Sequence, residues 1–244
     1  MRVTSATLSV TTFNCQWRRS KSAAAAEIRR AILATDPEIV CLTEAYLDFF
    51  GDEGFVIEAD ADYGYPITAG RRKVLLWSRQ PWSMVDSFGH ANLPPGRFVC
   101  GTTQTSIGAL AVIGVCIPWS AAHVSSGRRD QTLWAEHLDY LSAIGTWLPA
   151  VPARQIVLGD FNQRVPRKRQ PEIAFAALQA AILSRMEIAT AHIVSSVGEP
   201  LIDHICHSRD LVPRSCAVLT NIAADGSEIS DHVGVNVQLS LNIS

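Results

Sequence analysis

The feature that most restricts the fold of this chain is a series of short apolar runs, each closed by an acid, an amide or an imidazole. The five are LSVTTFNCQ (Asn14, Gln16), EIVCLTEA (Glu44), IVLGDFN (Asp160, Asn162), LIDHI (Asp203, His204) and ISDHVGV (Asp231, His232). Runs this short suit strands better than helices. One polar ending is explained by a turn or a helix cap, because Asp and Asn hydrogen-bond to nearby backbone. Five endings of this kind point to several strands delivering polar side chains to a shared rim, where α/β enzymes gather catalytic groups.

The intervening segments supply helices. Leu8–Phe13 reads as a strand, Ser22–Ala34 as a helix with Ile28, Ile32 and Leu33 on one face, ending before Asp36-Pro37, and Glu38–Thr43 as a second strand. Between Val56 and Cys116 the pattern changes to short runs at Lys73–Ser78, Met84–Phe88 and Phe98–Thr103, which fit antiparallel strands. Ala109–Cys116 is continuously apolar, as expected of a central strand buried on both faces. Arg129–Leu148 carries Leu133, Trp134, His137, Leu138, Leu141, Ile144 and Leu148 at helical spacing. Ile156–Leu158 is the next strand and Glu172–Ser184 the next helix; Leu201–Cys206, Ala217–Ile222 and His232–Leu241 complete the strands. Strand, helix, strand recurs in each half, which is compatible with two sheets packed face to face and helices outside, in one α/β domain spanning residues 1–244.

Composition narrows the function classes. With 244 residues, 48% hydrophobic and 18% charged, the chain can bury the core of one large domain. A net charge of -2 leaves no global footprint for wrapping a polyanion. The local basic runs GRRKV (70–74) and PRKRQP (166–171) read as solvated loops, with phosphate contact as the alternative. Six cysteines without a CxxC pair read as reduced core thiols, and cytoplasmic placement follows as an expectation. The N-terminal run alternates like a strand rather than a signal peptide, and no run approaches the roughly 18 apolar residues of a membrane span. A monomer is the working expectation.

Carboxylates, amides and imidazoles without a cysteine pair or HExxH make a hard, oxygen-rich donor set that favours magnesium or manganese over zinc. The chain has no GxxxxGK or GxGxxG loop and no GxSxG elbow. Hydrolysis of a phosphoester by an activated water is the natural reading. His204, Cys206 and His207 in DHICH read as core residues, since strand alternation turns the two histidines to opposite faces. Arg97 in PPGRFVCG reads as an exposed loop arginine, with a phosphate contact from the loop as the alternative, and Arg164, just after GDFN, is better placed to meet a phosphate.

In order, FNCQ, LTEA, a strand leading into IPWS, GDFN, LIDHI and SDHVGV resemble the motifs of the endonuclease/exonuclease/phosphatase superfamily, over Thr12 to Val237. The resemblance implies a four-layer α/β sandwich and a Mg2+- or Mn2+-dependent hydrolase of phosphodiesters, nuclease-like, with nucleic acid a candidate substrate. It implies Glu44 as principal metal ligand with Asn14 beside it, Asp160 as the group that activates water, and Asn162 as the amide that holds water or phosphate. It implies His232 as the imidazole on the scissile phosphate, Asp203 as its orienting carboxylate and Asp231 as an acid near the metal. Gln16 stands where many nucleases of the superfamily have an aspartate, leaving it as a neutral metal-side ligand. Cys116 and Ile117 occupy the position of a tyrosine or histidine in other branches, so Trp119 and His123 in the following loop are the candidates to contact substrate. A small-substrate phosphatase, a phospholipid diesterase and a non-catalytic binding module stay open as alternatives.

Overall fold

The structure, a computed structural model, describes residues 6–148, 154–195 and 198–242. Alternating apolar residues build two six-stranded sheets. The first contains β1 (Thr7–Asn14), β2 (Ile39–Tyr46), β3 (Phe55–Glu58), β4 (Arg71–Ser78), β11 (Leu211–Leu219) and β12 (Gly234–Leu241), in the order β11-β12-β1-β2-β4-β3. The second contains β5 (Trp82–Asp86), β6 (Phe98–Thr105), β7 (Gly108–Cys116), β8 (Gln155–Asp160), β9 (Glu187–Ile188) and β10 (Asp203–His207), in the order β5-β6-β7-β8-β10-β9. Each sheet has a central parallel pair, β1 with β2 and β7 with β8, flanked by antiparallel neighbours. A parallel pair needs a crossover, and each is spanned by a helix: α1 (Ala23–Leu33) and α2 (Ala135–Trp147).

Period-two alternation sorts side chains between layers. Cys41, Val74 and Leu76 face Val112, Ile156 and Leu158 in the core between the sheets. Their neighbours Val40, Leu42 and Leu75 turn outward to cover Ile28 and Ile32 of α1. On the other side Ile113, Val115 and Val157 pack on Tyr140, Leu141 and Ile144 of α2 and on Leu178 of α3 (Glu172–Leu178). The result is the expected helix, sheet, sheet, helix sandwich. Ser22 caps α1, accepting a hydrogen bond from Ala25 N at 3.2 Å, a contact whose loss typically costs about 1 kcal/mol.

Several boundaries differ from the sequence expectation. The helix placed at Arg129 begins at Ala135, because Trp134 adopts a left-handed φ of 70° and its N–H donates to Ser120 O at 2.7 Å. Leu133 is left 64% exposed, so the apolar face begins at His137. The helix expected through Ser184 is α-helical only to Leu178 and widens to a π turn over Gln179–Leu183. The strand read at Ala217 starts at Leu211, where edge pairing to β12 continues across an irregularity between Pro213 and Ser215. Exposure and the proline mask its periodicity. Short β3 and β9 carry too few residues to show a pattern, and His232 lies in the loop ahead of β12. Among the described residues no helix is long and apolar enough to cross a membrane.

Candidate active site

Strand ends from both sheets meet at one rim. Asn14 closes β1 and Asp160 closes β8, and the Asn14 amide donates to Asp160 Oδ2 at 3.4 Å, joining the two sheets. Antiparallel register sets Asp203, the first residue of β10, directly opposite Asp160. The glycine before Asp160 is required: Gly159 has φ 135°, and a Cβ there would lie 2.0 Å from the Val115 carbonyl oxygen. Asn162, itself left-handed at φ 51°, closes a turn in which its backbone N–H and side-chain amide each donate to the Asp160 carboxylate at 2.9 Å. That amide also donates to Ile117 O at 2.9 Å, so the turn fixes both side chains. His232 Nδ1 donates to Asp203 Oδ2 at 2.5 Å. Its loop is anchored by Ser230, whose buried hydroxyl donates to Asn14 O at 2.7 Å and accepts from His232 N at 3.2 Å. That anchor is the serine of the SDH motif itself, whose identity in the sequence gives no sign of its partners.

Burial and like charge strain this cluster electrostatically. Burial, then the nearby Asp203 charge, push the Asp160 carboxyl up to about 7 against the pull of His232. For His232 burial works against the imidazolium, but the Asp203 carboxylate outweighs it and lifts the pKa to about 10. Asp203 Oδ1 is buried without a hydrogen-bond partner among the described residues. An acid poised near neutrality and a stably charged imidazolium are the two halves of an acid–base site.

The other expected site residues fall at different distances from this centre. Glu44 sits on β2 at φ 51°, its carboxylate 2.5 Å from Lys73 Nζ. Lys73 belongs to GRRKV, which proves to be the start of β4 rather than a solvated loop. Burial opposes its ammonium, and the Cys116 thiol and Glu44 outweigh that, so the lysine pKa lies above its ordinary value. Gln16 donates its backbone N–H to Asn14 Oδ1 at 2.9 Å while its side-chain oxygen accepts from Arg18 at 3.0 Å. Asp231 is exposed, its carboxylate 4.0 Å from His232 Nε2. Trp119 is half-exposed and Arg164 pairs with Glu199 at 3.6 Å, as do Lys168 at 2.9 Å and Arg169 at 3.6 Å from the second basic run. His123 is wholly buried, stacked on Tyr65 at 4.3 Å, so it stands behind the cleft surface. His204 bonds Thr190 and the Gln163 carbonyl in the core, as its alternation implies. Arg97 departs from the sequence reading: it is 2% exposed, held at the start of β6 with its backbone carbonyl accepting from Tyr140 and from Cys116 N.

Asp160, Asp203 and His232 each offer a ligand atom, all within 4.8 Å of one another. Two buried carboxylates this close repel, and an orphaned carboxylate oxygen wants a cation or donor. The carboxylate oxygens at this rim therefore suit a hard divalent ion, while the protonated His232 is a counter-charge rather than a ligand.

Solved structures of similar fold span several activities. The chain aligns with a 3'-5' exonuclease from Neisseria meningitidis at TM-score 0.68 and 17% identity, covering 94% of this chain and 98% of that one. It aligns with D. rerio TDP2 humanized by 14 mutations at TM-score 0.68 and 12% identity, covering 96% and 99%. Sphingomyelinase C from Streptomyces griseocarneus aligns at TM-score 0.63 and 14% identity, covering 97% and 99%. Identities this low establish the shared fold and leave the substrate open. No curated protein matches by sequence. The model of the Endonuclease/Exonuclease/phosphatase family matches residues 11–232, which contain every strand-end residue described above, and the chain belongs to that family.

Proposed function

We propose that this protein is a divalent-metal-dependent phosphodiesterase of nuclease-like type. The observation that carries the reading is the buried Asp160–Asp203–His232 cluster, with its 2.5 Å imidazole–carboxylate bond, at the meeting of both sheets. Family membership supports hydrolysis of phosphoesters. Asp160 accepts the proton of the attacking water, a role suited to a carboxyl near 7. Asn162 and Asn14 orient that carboxylate and the water beside it. Imidazolium His232, held charged by Asp203, donates to a phosphoryl oxygen as charge builds there. Glu44, with Asn14, Gln16 and Asp231 near the same rim, would hold Mg2+ or Mn2+, which when bound neutralises phosphate charge. The cytoplasm suits a chain whose six cysteines are unpaired thiols.

The test is a hydrolysis panel with Mg2+ or Mn2+, using bis-p-nitrophenyl phosphate, duplex and single-stranded DNA, RNA and an inositol phosphate. Metal-dependent cleavage of the diesters, lost with chelator, is the expected outcome. Cleavage of the inositol phosphate alone would replace this reading with the phosphatase one. Absence of both hydrolysis and Mn2+ binding would favour a non-catalytic module.

A further inference from the structure

Beside the catalytic rim lies a cavity of about 240 Å³ lined by Trp17, Tyr63, Tyr65, Lys73, Arg97 and Trp119, among others. Its base is cationic. The Arg97 side chain makes no hydrogen bond or ion pair with any described residue, and its Nε is buried without a partner. Among the described residues the one carboxylate paired with Lys73 is Glu44. Of the two cations lining this cavity, Lys73 is therefore paired and Arg97 is not. An unpaired buried guanidinium is destabilising unless something anionic reaches it.

The wall is aromatic and stiff. Trp17, Tyr63, Tyr65 and His123 form a continuous run of rings with centroid spacings of 5.7, 5.9 and 4.3 Å. The Tyr65 hydroxyl is pinned between Ser126 Oγ at 3.2 Å and His123 N at 3.3 Å. Gly127, at φ +59°, lets the loop close on His123, since a Cβ there would lie 2.2 Å from Nδ1. Trp119 contrasts with these rings: it is 46% exposed and stacks on no described residue, so its ring is open to a ligand.

We propose that this cavity is the subsite for the nucleotide unit adjoining the scissile phosphate, with Arg97 binding that unit's second phosphate and Trp119 stacking on its base. The inference rests on the phosphodiesterase reading above and adds the class of substrate. A phosphate satisfies the guanidinium with charge-assisted bonds, and a flat base suits an open indole. A lipid tail supplies no anion, and an inositol ring has no π face. The cavity is smaller than the roughly 300–1,000 Å³ of drug-sized sites, which suits one nucleotide rather than a duplex. Lys73 lines the cavity and touches Glu44, placing the two sites side by side.

Binding of thymidine 3′,5′-bisphosphate to the metal-free protein, measured by calorimetry and tryptophan quenching, tests the subsite without turnover. Arg97→Met and Trp119→Ala should each weaken binding about tenfold or more. Unchanged affinity in either folded variant, or inorganic phosphate binding as tightly as the bisphosphate, would overturn the proposal. Should Arg97→Met fail to fold, Trp119→Ala, at a half-exposed ring, decides alone. Kinetically, the p-nitrophenyl ester of thymidine 5′-phosphate should be cleaved about tenfold better in kcat/KM when it carries a 3′-phosphate, and Arg97→Met should bring that ratio near one. Variant-sensitive binding without hydrolysis of either ester leaves the subsite standing and removes the phosphodiesterase reading. Equal hydrolysis of both esters with insensitive binding does the reverse. Competition by a 3′-phosphorylated single-stranded oligonucleotide also supports the subsite, and whichever competitor is tighter identifies its source as a strand end or a free nucleotide.

Discussion

Both ends of the β-sandwich are polar, yet they satisfy their polar groups in opposite ways. At the end away from the Asp160–Asp203–His232 rim, a cavity of about 500 Å³ opens between Thr7, Glu38, Arg79 and Ser106. There the Ser106 N–H and hydroxyl each donate to the Glu38 carboxylate at 2.7 Å. Arg79 pairs with Asp36 and donates to Pro37 O at 2.8 Å. None of the residues lining that cavity carries a buried unpartnered side-chain atom among the described residues. At the rim that gathers Asn14, Asp160 and Asp203 the neighbouring cavity is about half that size, and among the described residues Asp203 Oδ1 and Arg97 Nε have no partner. Size therefore does not distinguish the two ends; unpaired buried charge beside crowded carboxylates does.

The contrast is broken most directly at the centre. Asp160→Ala and His232→Ala are each expected to lower phosphodiester turnover by roughly 10²–10⁴-fold while the circular dichroism spectrum stays native. Near-wild-type rates in either would remove the assigned roles. A smaller effect is expected at Lys73, whose ammonium already occupies one oxygen of Glu44. Lys73→Met should tighten Mn2+ binding, read by calorimetry, by about tenfold, since a competing cation is gone. Weaker binding would mean that Lys73 supports the ion rather than competing with it.

A pH experiment sharpens the comparison further. The His232 pKa is raised to about 10, so the stability its imidazolium contributes is full below the ordinary histidine value of about 6.5 and is lost as pH climbs toward 10. Denaturant midpoints of the metal-free protein should fall across that window, and Asp203→Asn should flatten the fall. A midpoint flat from pH 6.5 upward in the unsubstituted protein would contradict a charged His232. The smallest effect belongs to the far end: Arg79→Ala removes an exposed ion pair, and it should change stability by no more than about 1 kcal/mol and turnover not at all. A marked loss of activity there would erase the distinction between the two ends.

The parts legible in the sequence are those set by local pattern. The continuous apolar run IVLG, the alternation in VNVQL and the helical spacing around Ile28 and Ile32 give the layers, since burial on one face writes itself as a period and burial on both as an unbroken run. Polar residues closing five such runs marked the rim that brings Asn14, Asp160, Asn162, Asp203 and His232 together. Patterns fail where local signals conflict. Trp134 extends a helical period and yet stops the helix, because its N–H is claimed by Ser120 in a loop fourteen residues earlier. Arg97 follows Pro-Pro-Gly and looks solvated, whereas the Asp60–Asp62 loop packs against Gly96 and closes it in.

What the sequence determined by itself was therefore most of the strands and the polar residues that close them, because hydrophobic periodicity and turn chemistry act over a few neighbouring positions. Which charges are paired was decided only by the tertiary structure. Glu44 meets Lys73 across β2 and β4, His232 meets Asp203 across 29 residues, and Arg97 pairs with no carboxylate among the described residues. Electrostatic energy depends on distance and burial in space, and a one-dimensional pattern carries neither.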